Sequence, residues 1–244
     1  MKNHQSLIDR NRFARTLYLI KKMYLTKSRF GHYSQFGEDI SVTGMFPKEL
    51  KGFFVDVGCF HPIKHNNTWK LYKRRGWRGI NIDVDAIKIE GFNLIRPHDI
   101  NINCAVSNKE EEISYWTNGD YSHTSSLSSS FVSEKEGYTQ KTTNSYKLTS
   151  IIDNTKYKDQ KIDYLTVDAE GHDLEVLESL DFDRYYPSLI AVETYKAVLS
   201  DVEKTDLYQF LFTRGYRLIG WCGLTLLMAN EPFASEHRQR RSSL

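Results

Sequence analysis

Short apolar runs alternate along the chain with segments whose apolar residues recur at helical spacing. Five runs have the length and flanking turns of buried strands, and they cover residues 53–57, 79–83, 102–106, 164–167 and 189–192. Helices are predicted over residues 38–46, 67–75, 148–153 and 207–212, and Leu174, Leu177 and Leu180 mark a further one. Because strands that alternate with helices form βαβ units, the pattern predicts an α/β fold on a parallel sheet.

The end of the chain follows a different pattern. Two apolar runs at 216–220 and 224–229 are separated only by residues 221–223, which predicts a final antiparallel pair of strands. The polar stretch 107–146 contains one weak strand at 113–116 and a loop at 124–130.

Acidic residues stand at the ends of four of the five predicted parallel strands. They are Asp56, Asp83, Asp168 and Glu193. In open parallel sheets the carboxyl ends of the strands meet at one edge, where ligands bind. Burying several carboxylates together without a function is costly, so these strand ends are the predicted site.

The first strand ends in a turn with a single glycine, within the segment GFFVDVGCFHP (52–62). A dinucleotide-binding loop needs further glycines so that the backbone can approach a pyrophosphate, and here Phe60 and His61 occupy those positions. A ligand that contains adenosine and a cationic end but no phosphate needs only one close backbone approach, at Gly58. The carboxylate of Asp56 would then lie near the positive charge of the ligand.

The next two strand ends fit the same ligand. Asp83 is placed to accept both ribose hydroxyls. Ala105 and Val106 are small and apolar, which suits contact with a flat purine. S-adenosylmethionine (SAM) therefore fits this pattern better than NAD or ATP.

The sequence resembles the FkbM-type SAM-dependent methyltransferases. The segments that carry the resemblance are SQFGED (34–39), GFFVDVGCFHP (52–62), NNTWKLYKRRGWRGINID (66–83), NINCAVS (101–107) and IDYLTVDAEGHDLEVLESLDF (162–182). The resemblance implies a Rossmann-like seven-stranded fold, with a mostly parallel sheet, an antiparallel edge and helices on both faces. It also implies O-methylation of sugar, glycan or polyketide hydroxyls. Cys59 departs from the family, which commonly has Ala there.

The resemblance implies a set of cofactor-binding residues, some of which have equally good structural explanations. The set comprises Gln35, Glu38, Asp56, Gly58, Asn67, Thr68, Asp83, Ala105, Val106 and Asp168. Asn67 and Thr68 serve equally well as helix caps. The loop at Ser125, Ser126 and Leu127 either closes over the cofactor or is a surface turn.

The proposed chemistry centres on the segment DAEGHD after the fourth strand. His172, Asp168, Glu170 and Glu193 are the candidate catalytic residues, with His172 as the natural base because its ordinary pKa lies near neutrality. The alternative role of His172 is capping or surface hydrogen bonding at the start of the following helix, and His61 and His65 are rival bases. Asp168 and Glu193 are also candidate Mg²⁺ ligands, but a divalent metal is not expected.

Charge is unevenly distributed along the chain. Residues 1–30 carry eight Lys and Arg residues against one acid, Asp9, although the formal net charge of the chain is only +2. Residues 1–33 are predicted to form a basic helical arm, residues 34–230 the methyltransferase domain and residues 231–244 a basic flexible tail. The arm either packs on the domain, which is favoured, or lies on anionic lipid.

Composition narrows the location and the partners. The three cysteines form no disulfide framework or zinc motif, and no apolar stretch is long enough to span a bilayer. The expected location is the cytoplasm, at the inner face of the membrane if the arm binds lipid. The expected partner is a sugar or glycan acceptor, in a surface polysaccharide or its precursor, and no nucleic acid.

Three other functions compete with this one. A nicotinamide oxidoreductase is disfavoured by the missing glycines. A non-catalytic SAM-binding scaffold and a methyltransferase for a polyketide-like small molecule are the alternatives to a glycan O-methyltransferase.

Overall fold

A computed structural model of the chain describes residues 12–24, 31–119 and 138–242. Ten strands lie in these residues: β1 (Phe53–Val57), β2 (Arg78–Asp83), β3 (Ile100–Asn103), β4 (Ala105–Val106), β5 (Glu112–Thr117), β6 (Thr139–Tyr146), β7 (Tyr164–Val167), β8 (Leu189–Glu193), β9 (Tyr216–Cys222) and β10 (Thr225–Asn230). Seven of them form one sheet in the order β3–β2–β1–β7–β8–β10–β9. All neighbours are parallel except the pairs that involve β10, which confirms the predicted fold class.

The central strands are apolar because the sheet is covered on both faces. Every residue of β1 is buried, and alternate side chains enter different cores. Phe53 and Val55 pack into one hydrophobic cluster, whereas Phe54 packs into another on the opposite face.

Eight α-helices lie in the described part of the chain. They are α1 (Arg12–Tyr24), α2 (Glu38–Met45), α3 (Ala86–Ile95), α4 (Leu148–Asp153), α5 (Asp173–Glu178), α6 (Leu199–Val202), α7 (Asp206–Thr213) and α8 (Glu231–Ser242). Helices α4, α5 and α7 contribute to the cluster that contains Val55, and α2 and α8 contribute to the cluster that contains Phe54.

The predicted strand 102–106 is two strands in different sheets. Strand β3 ends at Asn103, and β4 pairs instead with β6 in a three-stranded sheet. The antiparallel hairpin of β5 and β6 completes this second sheet. Strand β6 was not predicted, because most of its residues are exposed and polar.

The predicted helix 67–75 is also altered. Asn66 caps it by accepting the backbone N–H groups of Thr68 and Trp69, and its last part is a π-helical turn at Leu71–Arg75. Helix α3 was not predicted; Asp85 caps its first turn by accepting the N–H of Ile87.

The prediction of a flexible tail over 231–244 is wrong for the residues that the structure describes. Helix α8 occupies Glu231–Ser242. Phe233 and Ala234 are buried in the cluster that contains Phe54, and Arg240 donates to the carbonyl of Met45 at 2.8 Å. The few apolar residues of this segment therefore anchor it against the sheet.

The turns after β1 and β7 touch each other through Gly58. The backbone N–H of Asp168 donates to the carbonyl of Val57 at 3.0 Å, and a Cβ on Gly58 would lie 1.8 Å from the carbonyl oxygen of Asp168. Gly58 also has a φ of +74°, which glycine adopts without strain. Gly58 was predicted to face a cofactor, but this contact between the two turns already requires a glycine at that position.

We expect Gly58→Ala to lower the free energy of unfolding by more than about 3 kcal/mol, since it adds a backbone collision to left-handed strain. Gly37→Ala is the matched control, because Gly37 has a φ of +87° and no atom within 4 Å of its would-be Cβ. The control should cost only about 1–2 kcal/mol. Urea unfolding measures both, and equal losses would refute the role assigned to the contact.

Candidate active site

A cavity of about 410 Å³ opens at the carboxyl ends of β1, β2, β7 and β8. This volume is within the usual range for small-molecule sites. It brings together nine of the residues predicted for cofactor binding or catalysis: Gln35, Asp56, Gly58, Asn67, Asp83, Val106, Asp168, Glu170 and Glu193.

Three predicted cofactor residues lie outside this cavity. Glu38 accepts hydrogen bonds from the Phe36 N–H and the Thr225 hydroxyl, and it lines a smaller neighbouring cavity. Thr68 is fully buried and donates to Asp56 at 2.7 Å. Ala105 is buried in strand β4, behind the cavity-lining Val106.

His172, the predicted base, is also not among the residues that line the cavity. Its Nε2 lies 3.1 Å from the Ser107 hydroxyl, and its Nδ1 lies 3.6 Å from Glu175. Burial lowers the pKa of His172, and Glu175 opposes that shift. His172 stands at the N-cap position of helix α5, but its side chain makes no capping hydrogen bond and bonds instead to Ser107.

The end of the cavity near β2 is organised around Asp83. Its carboxylate accepts the backbone N–H groups of Phe60 and Asp85 at 3.0 and 2.9 Å, and it forms a buried ion pair with Lys88 at 3.4 Å. Lys88 was not predicted. It lies five residues beyond Asp83 on helix α3, and only recognition of that helix would have placed it at the site.

Asp56 lies deeper, in a buried polar network. It accepts hydrogen bonds from the Thr68 hydroxyl and the Asn66 amide, and the positive charge of Arg96 stabilises its ionised form. Burial raises the pKa of Asp56 from 3.8 to about 6, while Arg96 and the two hydrogen bonds oppose the shift. The carboxyl is therefore poised near neutral pH.

The opposite end of the cavity concentrates acidic groups. Burial and the neighbouring Glu193 and Glu170 raise the pKa of Asp168 well above its usual range. Glu193 has a buried Oε2 with no hydrogen-bond partner in the described residues. Burial raises the pKa of Glu193 too, and the hydroxyl of Tyr195 opposes that shift. The hydroxyl of Tyr195, another residue that was not predicted, donates to Glu170 at 3.2 Å.

Three lining residues hold left-handed backbone conformations without being glycine. Phe60, His65 and Glu170 have φ values of +52°, +48° and +50°. Such conformations cost free energy and persist where the surrounding structure imposes them, which is common at functional sites. Among the rival bases, His65 lines the cavity, whereas His61 does not.

The described residues contain no group of three or more His, Cys, Asp or Glu side chains arranged to hold a metal ion. The assignment of Asp168 and Glu193 as metal ligands stays a prediction. The predicted loop at Ser125, Ser126 and Leu127 lies outside the described residues.

Comparison with known protein families gives one decisive match. The family described as "Methyltransferase FkbM domain" matches residues 56–218, which is more than half of the chain. The chain belongs to this family. Membership of this family implies that SAM is the methyl donor, in agreement with the prediction from the strand ends.

Other comparisons add little. No curated protein matches the methyltransferase. A solved structure of a TehB-like SAM-dependent methyltransferase from Corynebacterium glutamicum is similar over 89% of this chain and 94% of its own, with 13% identity and a TM-score of 0.42.

The residues of the cavity fit SAM. Five carboxylates line it, Asp56, Asp83, Asp168, Glu170 and Glu193, against a single lysine, Lys88, among the described residues. That lysine is already paired with Asp83. An acidic lining suits a cationic ligand and disfavours a pyrophosphate, which binds to basic groups or clustered N–H donors.

We expect the affinity of the methyltransferase for SAM to rise between pH 5 and pH 7, with a midpoint near 6. Asp56 is ionised only above its pKa of about 6, and its anion is the form that attracts a cation. The gain is at most about tenfold per pH unit. Isothermal titration calorimetry at each pH measures it, with Asp56→Asn as the variant that should flatten the profile.

The raised pKa of Asp56 also makes the stability of the ligand-free protein depend on pH. Because the pKa of Asp56 is raised by folding, its contribution to stability is present below pH 3.8 and is lost as the pH rises through about 6. SAM should therefore raise the melting temperature more at pH 7 than at pH 5. An equally steep affinity profile in Asp56→Asn would assign the titration to another group.

Proposed function

We propose that the protein is an O-methyltransferase that transfers the methyl group of SAM to a hydroxyl of a sugar or glycan, in a surface polysaccharide or its precursor. The observation that carries the proposal is the acidic end of the cavity, formed by Asp168, Glu170 and Glu193. A hydroxyl is a poor nucleophile until its proton is removed, and this end supplies carboxylates for that purpose.

The residues divide the work of binding. Asp83 would hold the ribose hydroxyls, and Asp56 would attract the positively charged amino acid end. When bound, SAM supplies an activated methyl group on a sulfonium. The protein then contributes mainly position and proton removal, as in other in-line displacements.

Glu193 is the best candidate for the base. Its buried Oε2 has no hydrogen-bond partner among the described residues, so it can accept one from an acceptor hydroxyl. Its raised pKa brings it closer to neutrality, where general bases act most efficiently. Asp168 is the weaker candidate, because burial and its acidic neighbours raise its pKa well above the usual range.

Tyr195 supports a sugar as the acceptor. The residue is 59% exposed and lines the cavity, while its hydroxyl donates to Glu170. A fixed, exposed aromatic face combines an apolar surface with nearby hydrogen-bond acceptors. A sugar offers the matching combination of a flat C–H face and several hydroxyl donors.

We expect Glu193→Gln to lower methyl transfer about 10²–10⁴-fold while the dissociation constant for SAM changes less than about threefold. The host lacking the gene is complemented with the wild type, Glu193→Gln, or the surface control Glu203→Gln. Mass spectrometry of the surface glycan then counts O-methyl groups, and calorimetry on the purified variants measures SAM binding.

Only the wild type and Glu203→Gln should restore one methyl group to the glycan. If the strain without the gene keeps every glycan methyl group while the purified protein binds SAM, the glycan acceptor is wrong but the family assignment stands. Full activity of Glu193→Gln would remove Glu193 as the base. Activity lost in EDTA and restored by Mg²⁺ would favour the metal alternative.

A further inference from the structure

Helix α1 (Arg12–Tyr24) packs on the domain by one face. Leu19 and Met23 are buried in a cluster with Trp69, Ile87 and Ile95. Arg15 forms an ion pair with Glu90 of helix α3 on the same side. The described part of the arm is therefore a helix held against the domain.

The other face of helix α1 is apolar and exposed. The side chains of Phe13, Leu17 and Ile20 are 71%, 51% and 40% exposed. At 100° per residue they fall within an arc of about 60°, so they form one continuous stripe along the helix.

Basic side chains accompany this stripe. Arg12, Lys21 and Lys22 are exposed, and the helix contains no acidic residue. The whole segment 1–30 carries eight Lys and Arg residues against one acid, whereas the rest of the chain is net acidic. An apolar stripe bordered by Lys21, in a basic segment of a protein that is otherwise acidic, is complementary to an anionic lipid surface, because each Lys or Arg near such a surface contributes about 1 kcal/mol.

From this geometry we infer that helix α1 docks the enzyme on anionic phospholipid, with Leu17 and Ile20 entering the interface and Lys21 meeting the headgroups. The contact is interfacial, since no helix in the described ranges is long and apolar enough to cross a bilayer. The inference does not depend on the identity of the methyl acceptor.

The docking helix is separated from the cavity by a single element. Helix α3 packs against α1 through Ile87, and the adjacent Lys88 lines the cavity. Lipid binding would therefore hold the cavity near the membrane surface, where lipid-linked acceptors are found.

The test uses the full chain and sedimenting vesicles of phosphatidylcholine, with or without 40% phosphatidylglycerol. Binding should be at least tenfold tighter to the anionic vesicles and should weaken in 0.5 M salt. The variant Leu17→Glu/Ile20→Glu should lose at least tenfold in vesicle affinity. The matched control Ile40→Glu/Val198→Glu changes two exposed apolar residues elsewhere by the same charge and should bind like the wild type.

Each outcome decides the inference. Equal binding to both vesicle types, or equal binding by the stripe variant and the wild type, overturns it. So does a wild-type dimer in light scattering that the stripe variant abolishes without any vesicle binding, because the stripe would then be covered by a second copy. Calorimetric titration with SAM shows whether each variant is folded. If the wild type itself does not bind SAM, the proposed function is wrong, but the vesicle result still stands.

Discussion

The cavity depends on one fully buried guanidinium, that of Arg96. It donates to the Pro62 carbonyl at 2.9 and 2.7 Å and to the Thr68 hydroxyl at 2.8 Å, and it compensates the buried carboxylates of Asp56 and Asp99. Removing one partner of a buried ion pair typically costs about 3–5 kcal/mol, because the other charge is left uncompensated. Arg96 thereby fixes the loop that follows β1, and this loop carries the strained Phe60 and His65 into the cavity wall.

The compensation provided by Arg96 does not extend to the other end of the cavity. Asp168 and Glu193 have no basic partner among the described residues that line it. Burial raises the pKa of both, and the charges of Glu193 and Glu170 raise that of Asp168 further. Without a ligand the cavity holds more acidic than basic groups, and a cationic ligand would balance that excess of negative charge. The negative field of these carboxylates would repel a phosphorylated ligand. The first strand also lacks the glycine-rich loop that binds a pyrophosphate, so both features favour a cofactor without phosphate.

The fold was predictable because β1, β7 and β8 are buried on both faces and so appear as uninterrupted apolar runs. Asp56, Asp83, Asp168 and Glu193 could be placed together because parallel strands end at one edge. The spacing of residues along the chain does not reveal which way a side chain points beyond a strand. His172 was therefore predicted as the base and Thr68 as a cofactor-binding residue, although the side chains of both form hydrogen bonds within the protein. Helix α8 was missed because its segment is mostly polar and only Phe233 and Ala234 anchor it.

The central claim is that the strand ends bind a cationic, phosphate-free adenosyl cofactor and use Asp83 to hold its ribose. Calorimetric titration of the wild type and Asp83→Asn with SAM, S-adenosylhomocysteine and NAD tests it most directly. The account requires both adenosyl ligands to bind the wild type, NAD to give no measurable heat, and Asp83→Asn to bind SAM at least tenfold more weakly. Tighter binding of NAD than of SAM, or an unchanged SAM affinity in Asp83→Asn, would contradict it.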